Sequence, residues 1–288
     1  MRYSNPAPRR PDPAQTARGE NAELLRLLVA VSLIVVTCLL VADRAAVWLA
    51  PSLPFSVEQR LAQTMKLDVL AATMMGGGKP SPAQREIEAA LQGRADRIVR
   101  ALQLPADMPI TLHYVDGGTV NAFATLGGHV TVFRGLLAKL RYEEELDAVL
   151  AHEIGHVQHR HVVQHLSRGV VATAALGLIG VRSASVSKWL IGDAQQLQQL
   201  AYSRDAEREA DATAMLASQR LSGSTRGMVE LFKVFDTLQR TQPGMAQIPW
   251  LQSHPQPLER ARAAEASPGA ARALTPLAAP LNLSAKQQ

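Results

Sequence analysis

His152, Glu153 and His156 form the pattern H-E-x-x-H inside the stretch 148–160, AVLAHEIGHVQHR. On a helix the two histidines lie one turn apart on the same face, so both imidazoles can reach a single zinc ion. Glu153 falls beside them, placed to hold a water at that metal and take its proton. The chemistry implied is metal-assisted hydrolysis. The competing reading is a solvated His/Glu face on an ordinary helix, and the flanks argue against it. Leu146, Val149, Leu150, Ile154 and Val157 give an apolar stripe beside the histidines, as a half-buried metal-binding helix requires. Glu143, Glu144 and Glu145 suit its first turn, where acids complement the helix dipole.

A catalytic zinc takes three protein ligands and keeps one position for water. Residues 203–212, SRDAEREADA, place Glu207 and Asp211 on one face of a second helix, with Glu209 pointing elsewhere. Glu207 is the candidate third ligand. Asp211, one turn on, is the candidate acceptor for the far N–H of a ligating histidine, which would fix that ring's tautomer. An acidic helix alone reads as a solvated face. Beside H-E-x-x-H, the pair completes a site for one zinc per chain.

HEIGH followed by EREAD resembles the gluzincin metallopeptidases of the HtpX, BepA and CAAX prenyl endopeptidase group, whose pattern is H-E-x-x-H then E-x-x-x-D. Residues 121–137, NAFATLGGHVTVFRGLL, are similar to that family's strand, turn and strand leading to the active-site helix. Residues 253–260, SHPQPLER, are similar to its C-terminal S-H-P segment, and the resemblance covers residues 55–265. It implies that His152, His156 and Glu207 bind zinc, that Glu153 is the general base and then the proton donor, and that Asp211 supports a ligand from behind. For His254 it implies either a fourth metal contact in a resting form or a transition-state stabiliser; the alternative is a loop histidine between prolines. It also implies substrates among misfolded or misassembled membrane and envelope proteins.

The elements that must position these residues follow the same order of inference. Residues 1–23, rich in Pro, Ala and Arg, read as a disordered basic tail. Residues 24–42 approach the roughly 20 residues needed to span a bilayer, with Arg26 able to snorkel. Positive charge on the leading flank keeps that end in the cytoplasm. No clean A-x-A cleavage site follows, so an uncleaved anchor is expected rather than a signal peptide. Cys38, the only cysteine, lies inside this apolar run, so no intramolecular disulfide can form.

Residues 51–265 read as one zinc metallopeptidase domain and 266–288 as a disordered tail. Helices are expected over 56–75 and from Pro82 to about residue 104, the second with Ser81 as N-cap and a stripe of Ile87, Leu91, Ile98 and Leu102. Residues 110–115, 120–125 and 129–133 are short, β-prone and separated by Gly-containing turns. They read as a small antiparallel sheet whose edge, at Asn121, Ala122 and Phe123, could take substrate as an added strand. His113 and His129 read as ordinary strand residues, and His159, His161 and His165 as a solvated continuation of the motif helix. Residues 169–190 are expected to form a lid or membrane-touching hairpin with Trp189 near the interface. Further helices are expected over 205–220 and 225–240, and residues 243–250 as a loop. The fold class is therefore α+β: a mainly helical zincin-type domain with a small sheet, behind one transmembrane helix.

The net charge is +5 and the pI near 9.6. Aromatics make up only 4% of the chain and no basic patch is interleaved with them, which argues against a nucleic-acid partner. Anionic lipid suits the basic tail better. The reading is thus a membrane-anchored zinc endopeptidase acting on protein or peptide substrates, single-pass in a bacterial inner membrane, with the N-terminus cytoplasmic and the catalytic domain periplasmic. Oligomeric state is open. No tandem helical repeat follows the domain in this sequence, so protein partners are expected on the domain itself. One alternative is a chaperone or assembly factor that uses the same fold to hold clients, against which the intact Glu153 speaks. A second is a mitochondrial inner-membrane peptidase of the OMA type. Asp12, Glu20, Glu23 and several prolines make the N-terminal tail a poor transit peptide.

Overall fold

Helix α1 runs without a break from Pro13 to Leu49 and carries the apolar run. In the computed structural model, which describes residues 13–49, 54–64, 80–166, 202–241, 248–254, 257–266, 269 and 272–283, its window Asn21–Cys38 has a mean hydropathy of 1.9 and none of it is buried inside the protein. A helix this long and apolar, with its leucines facing outward, suits a bilayer. It begins earlier than the tail expected over 1–23 allows. Residues 13–23, PAQTARGENAE, contain enough Ala, Gln, Arg and Glu to sustain helix ahead of the apolar run.

Helix α2 (Phe55–Thr64) occupies the start of the helix expected over 56–75; the remainder lies outside the described residues. Helix α3 (Pro82–Leu102) begins as expected, with the Ser81 hydroxyl accepting from the Gln84 N–H and the Gln84 side chain accepting from the Ser81 N–H. Such a cap is worth about 1 kcal/mol. Ile87, Leu91, Ala95, Ile98 and Leu102 form its buried face.

Strands β1 (Thr111–Val115), β2 (Ala122–Ala124) and β3 (His129–Phe133) make one sheet in the order β1-β3-β2. β2 and β3 are antiparallel, with Phe123 opposite Thr131, but β1 and β3 are parallel, with Thr111 opposite His129. The sheet is therefore mixed rather than wholly antiparallel. The turn at Gly127 and Gly128, with φ of 78° and 83°, folds β3 back on β2. That leaves only the far edge of β3 for β1, which meets it in the same direction. A Cβ at Gly128 would run into the Pro109 carbonyl.

A short helix α4 (Arg134–Leu137) leads into α5 (Glu143–Gln158), which carries H-E-x-x-H. The Glu145 carboxylate accepts the N–H groups of Arg141, at 2.6 Å, and Tyr142, at 3.0 Å, fixing the start of α5. Farther along, Asp147 pairs with buried Arg94 of α3 at 2.8 Å. Helix α6 (Arg204–Ser222) is capped by the Ser203 hydroxyl and ends at Gly223 with φ 73°. It crosses α5 closely: a Cβ on Gly155 would stand 3.0 Å from the Cα of Ala210. Helices α7 (Arg226–Thr241), α8 (Pro249–Ser253) and α9 (Pro257–Glu265) complete the domain.

The main core joins α3, the inner sheet face, α5, α6, α7 and α9. The tail expected to be disordered beyond residue 265 contributes to it. Leu277, Leu281 and Leu283 are buried, Pro276 bridges Tyr142, and the Glu144 carboxylate accepts the Thr275 N–H at 2.9 Å. Three leucines in a Pro/Ala-rich stretch carry no period, yet they cover the start of α5. The expected hairpin over 169–190, including Trp189, and residues 243–247 lie outside the described residues. Residues 249–250, expected as loop, begin α8.

Candidate metal centre

Helix α5 presents His152 and His156 on one face, and α6, brought close by Gly155, presents Glu207 opposite them. His152 Nε2 and His156 Nε2 stand 3.1 Å apart, and Glu207 Oε1 lies 3.4 Å from His156 Nε2. Glu207 Oε2 lies 3.6 Å from His152 Nε2. A fourth group arrives from the end of α8: His254 Nδ1 is 3.1 Å from His152 Nε2 and 2.9 Å from Glu207 Oε1. These four side chains are buried, and one donor atom from each lies within 4.8 Å of all the others.

The donor set fits zinc. A tetrahedral ion with bonds of about 2.0–2.1 Å holds its ligand atoms about 3.3–3.4 Å apart, close to the separations above. Three imidazole nitrogens aimed at one point cannot all satisfy one another, since each carries either one lone pair or one hydrogen. Among the described residues Glu207 Oε2 is likewise buried without a hydrogen-bond partner, 3.4 Å from the Arg260 guanidinium. Burial pushes His156 well below the ordinary imidazole value, which keeps the ring neutral for ligation. Burial alone would raise Glu207, but the neighbouring histidines, His254 first and then His156, hold it well below the usual carboxylate range.

The sequence model of Peptidase family M48 matches residues 85–267. The chain belongs to peptidase family M48. Relatives include the metalloprotease YcaL of Escherichia coli, 33% identical over 149 residues that make up 50% of this chain and 56% of that one. The protease HtpX homolog of Trichormus variabilis is 33% identical over 186 residues, 54% of this chain and 59% of that one. The mitochondrial metalloendopeptidase OMA1 of Danio rerio is 32% identical over 196 residues, 63% of this chain and 40% of that one. The chain therefore spans well under two thirds of the length of these relatives. Zinc is the metal of M48 peptidases, in agreement with the donor set.

Around the M48 cluster, Glu153 is fully buried. Its Oε2 accepts the Ala124 N–H at 3.1 Å and its Oε1 accepts the Trp250 indole N–H at 3.4 Å. Burial raises its pKa above the ordinary glutamate value. Asp211 Oδ1 lies 3.0 Å from His152 Nδ1, the ring nitrogen that faces away from the cluster. Burial would push Asp211 up, but the hydrogen bond from His152 and the Arg260 guanidinium outweigh it and hold the carboxyl down. Arg260 donates to both Asp211 oxygens, at 2.8 and 2.6 Å, and its guanidinium lies over the rings of Phe232 and Trp250, 4.6 and 5.0 Å from their centroids.

The structure thus brings together all six residues singled out at the site: His152, Glu153, His156, Glu207, Asp211 and His254. His254 follows the last residue of α8 and is 1% exposed inside the cluster. Asn121, Ala122 and Phe123 lie at the nearby sheet edge. Because Asn121 and Thr125 exchange hydrogen bonds with β3, the backbone of Ala122 and Ala124 points away from β3. The Phe123 side chain packs with Val115 and Phe133 instead. His113 and His129 stand 2.9 Å apart across β1 and β3, outside the cluster.

Several residues at the site escaped the sequence reading. Arg260 sits in the S-H-P segment, but nothing local says that an arginine there is buried. Trp250 stacks on Phe235 at 4.1 Å and braces His254. Tyr202, just ahead of α6, stacks on the His156 ring at 4.0 Å. Burial with the charges of Glu153 and Glu207 raises its hydroxyl well above the usual tyrosine value. His161 was expected in solvent and is 3% exposed. A cavity of about 320 Å³ borders the Glu207 side, lined by Tyr202, Arg208, Met215 and Arg260 among others.

Proposed function

We propose that the chain is a membrane-anchored, zinc-dependent endopeptidase that hydrolyses misfolded or misassembled membrane and envelope proteins. The observation that carries this reading is the buried constellation of His152, His156 and Glu207 with Glu153 beside it. When bound, zinc supplies a Lewis acid and an activated water. Glu153 takes the proton from that water and returns it to the leaving amine. Its raised pKa eases the protonated half of that cycle. The Ala124 N–H and Trp250 indole aim its two oxygens.

Substrate binds as a strand added to the side of β2 that faces away from β3, where the outward-facing backbone of Ala122 supports that alignment while the Ala124 N–H is held by Glu153. Asn121 Oδ1, buried without a hydrogen-bond partner among the described residues, is an acceptor available to an incoming backbone N–H. Since β2 also hydrogen-bonds Glu153, a peptide paired there lies beside the general base. His254, 3.1 Å from His152 Nε2 and 2.9 Å from Glu207 Oε1, would help to hold the metal at rest and would have to withdraw to admit water. The anchor is α1, with the N-terminus cytoplasmic and the domain on the periplasmic face of a bacterial inner membrane.

The deciding experiment compares casein cleavage and zinc content for the full-length chain in detergent as wild type, Glu153→Gln and His254→Ala. Wild type should bind one zinc and cleave. Glu153→Gln should keep its zinc and lose about 10²–10⁴-fold in rate. His254→Ala should cleave faster. Full proteolysis by Glu153→Gln would sink the mechanism, and a wild-type chain that binds no zinc would sink the assignment. Client rescue by Glu153→Gln would favour the chaperone reading.

A further inference from the structure

Five residues beyond His156, a second histidine turns back onto it. His161 Nδ1 lies 2.8 Å from His156 Nδ1, and His161 Nε2 lies 3.0 Å from the Glu209 carboxylate of α6. An uninterrupted helix would not permit this, because positions five apart are rotated about 140° from each other. The break is at Arg160, whose φ of 61° ends α5 before helical geometry resumes at residues 161–166. Arg160 is itself held, pairing with Glu58 of α2 and lying over the Phe55 ring at 4.7 Å. Glu58 also accepts the Gly127 N–H at 3.0 Å. The turn that delivers His161 is therefore built in from the α2 side.

We propose that His161 and Glu209 are positioning residues for His156, forming a chain of hydrogen bonds that fixes which nitrogen of His156 faces the metal. This rests on the zinc-peptidase reading above. His156 Nε2 points at His152 and Glu207, so it offers its lone pair to the metal. The single hydrogen of the neutral ring then sits on Nδ1 and is donated to His161 Nδ1. That leaves the hydrogen of His161 on Nε2, aimed at Glu209. Every donor and acceptor in the chain is matched in this one arrangement and in no other that leaves His156 Nε2 free. A buried His161 without this role would have an unsatisfied nitrogen facing the site.

The test is zinc affinity of the full-length chain in detergent, measured by chelator competition, together with the visible spectrum of the cobalt-substituted form. His161→Leu removes the acceptor for His156. His161→Asn places a carbonyl near the position of Nδ1 and restores it. Glu209→Gln keeps an oxygen but removes the charge. Zinc binding should weaken about 10–100-fold in His161→Leu, with a changed cobalt spectrum. In His161→Asn it should recover most of the loss, and in Glu209→Gln, which keeps an acceptor oxygen, it should weaken by less than in His161→Leu. Equal affinity and an unchanged cobalt spectrum in His161→Leu would overturn the proposal while leaving the peptidase reading intact. Absence of metal binding by wild type would remove both. If His161→Leu does not fold, Glu209→Gln decides: loss of affinity with an altered cobalt spectrum supports the chain, and wild-type values for both overturn it.

Discussion

The two candidate histidine ligands are supported from behind in different ways. Behind His152 stand Asp211 and Arg260, a bidentate ion pair whose side chains are 10% and 7% exposed, sealed under Phe232 and Trp250. Behind His156 stand His161 and Glu209, a buried ring leading to a carboxylate that is 57% exposed. Both carboxylates come from α6, two residues apart and on either side of a line through Glu207. One helix therefore provides a candidate ligand and both rear supports. The supports differ because one faces the core under α7–α9 and the other faces outward. The difference teaches where stability and metal affinity separate: in the interior a support is also part of the fold, whereas near water it can act on its ligand alone.

The largest test of this contrast is Asp211→Asn. An amide has one acceptor oxygen, so either His152 or Arg260 loses its partner, and buried Arg260 loses its bidentate anion and keeps only Glu207, 3.4 Å away. Breaking a buried pair in this way costs about 3–5 kcal/mol. Thermal unfolding should show a marked drop even without metal, along with weaker zinc binding. A variant as stable as wild type would mean that Arg260 finds compensation elsewhere. Next comes Gly155→Ala. Its new Cβ meets the Ala210 backbone at 3.0 Å, so α6 must move back with both supports and Glu207. Overpacking of this kind costs about 1–3 kcal/mol, and zinc affinity should fall with stability, as chelator titration and thermal melts can read together. The smallest effect belongs to Glu209→Gln. Exposed pairs contribute about 0–1 kcal/mol, so its unfolding midpoint without metal should stay near wild type. A large loss of stability there would erase the distinction between the two supports.

How far the site was legible follows from the range of the interactions. H-E-x-x-H and the Glu207–Asp211 pair each lie within two turns of helix, where spacing alone places side chains on a face. The N-cap at Ser81 and the carboxylates at the start of α5 are equally local. Arg260 and Trp250 reach the same centre from segments whose neighbours say nothing of it. Their burial depends on α7 lying across α5. His161 was misread because a helical periodicity was carried past Arg160, where a positive φ breaks it. Leu277, Leu281 and Leu283 were overlooked because a chain without regular structure leaves no period to read.

By itself, the amino-acid sequence determined the helix that carries H-E-x-x-H, a second acidic helix, the family and an apolar N-terminal helix. Periodicity and capping act over a few residues, and those features live at that scale. The tertiary structure alone decided the parallel pairing of β1 with β3, the arrival of His254 inside the cluster, and the clamp of Arg260 on Asp211. It also decided which carboxylate stands behind which histidine. Each of these is a contact between segments far apart in the chain, set by how Gly155 lets α5 and α6 approach and by what the remaining helices bury against them.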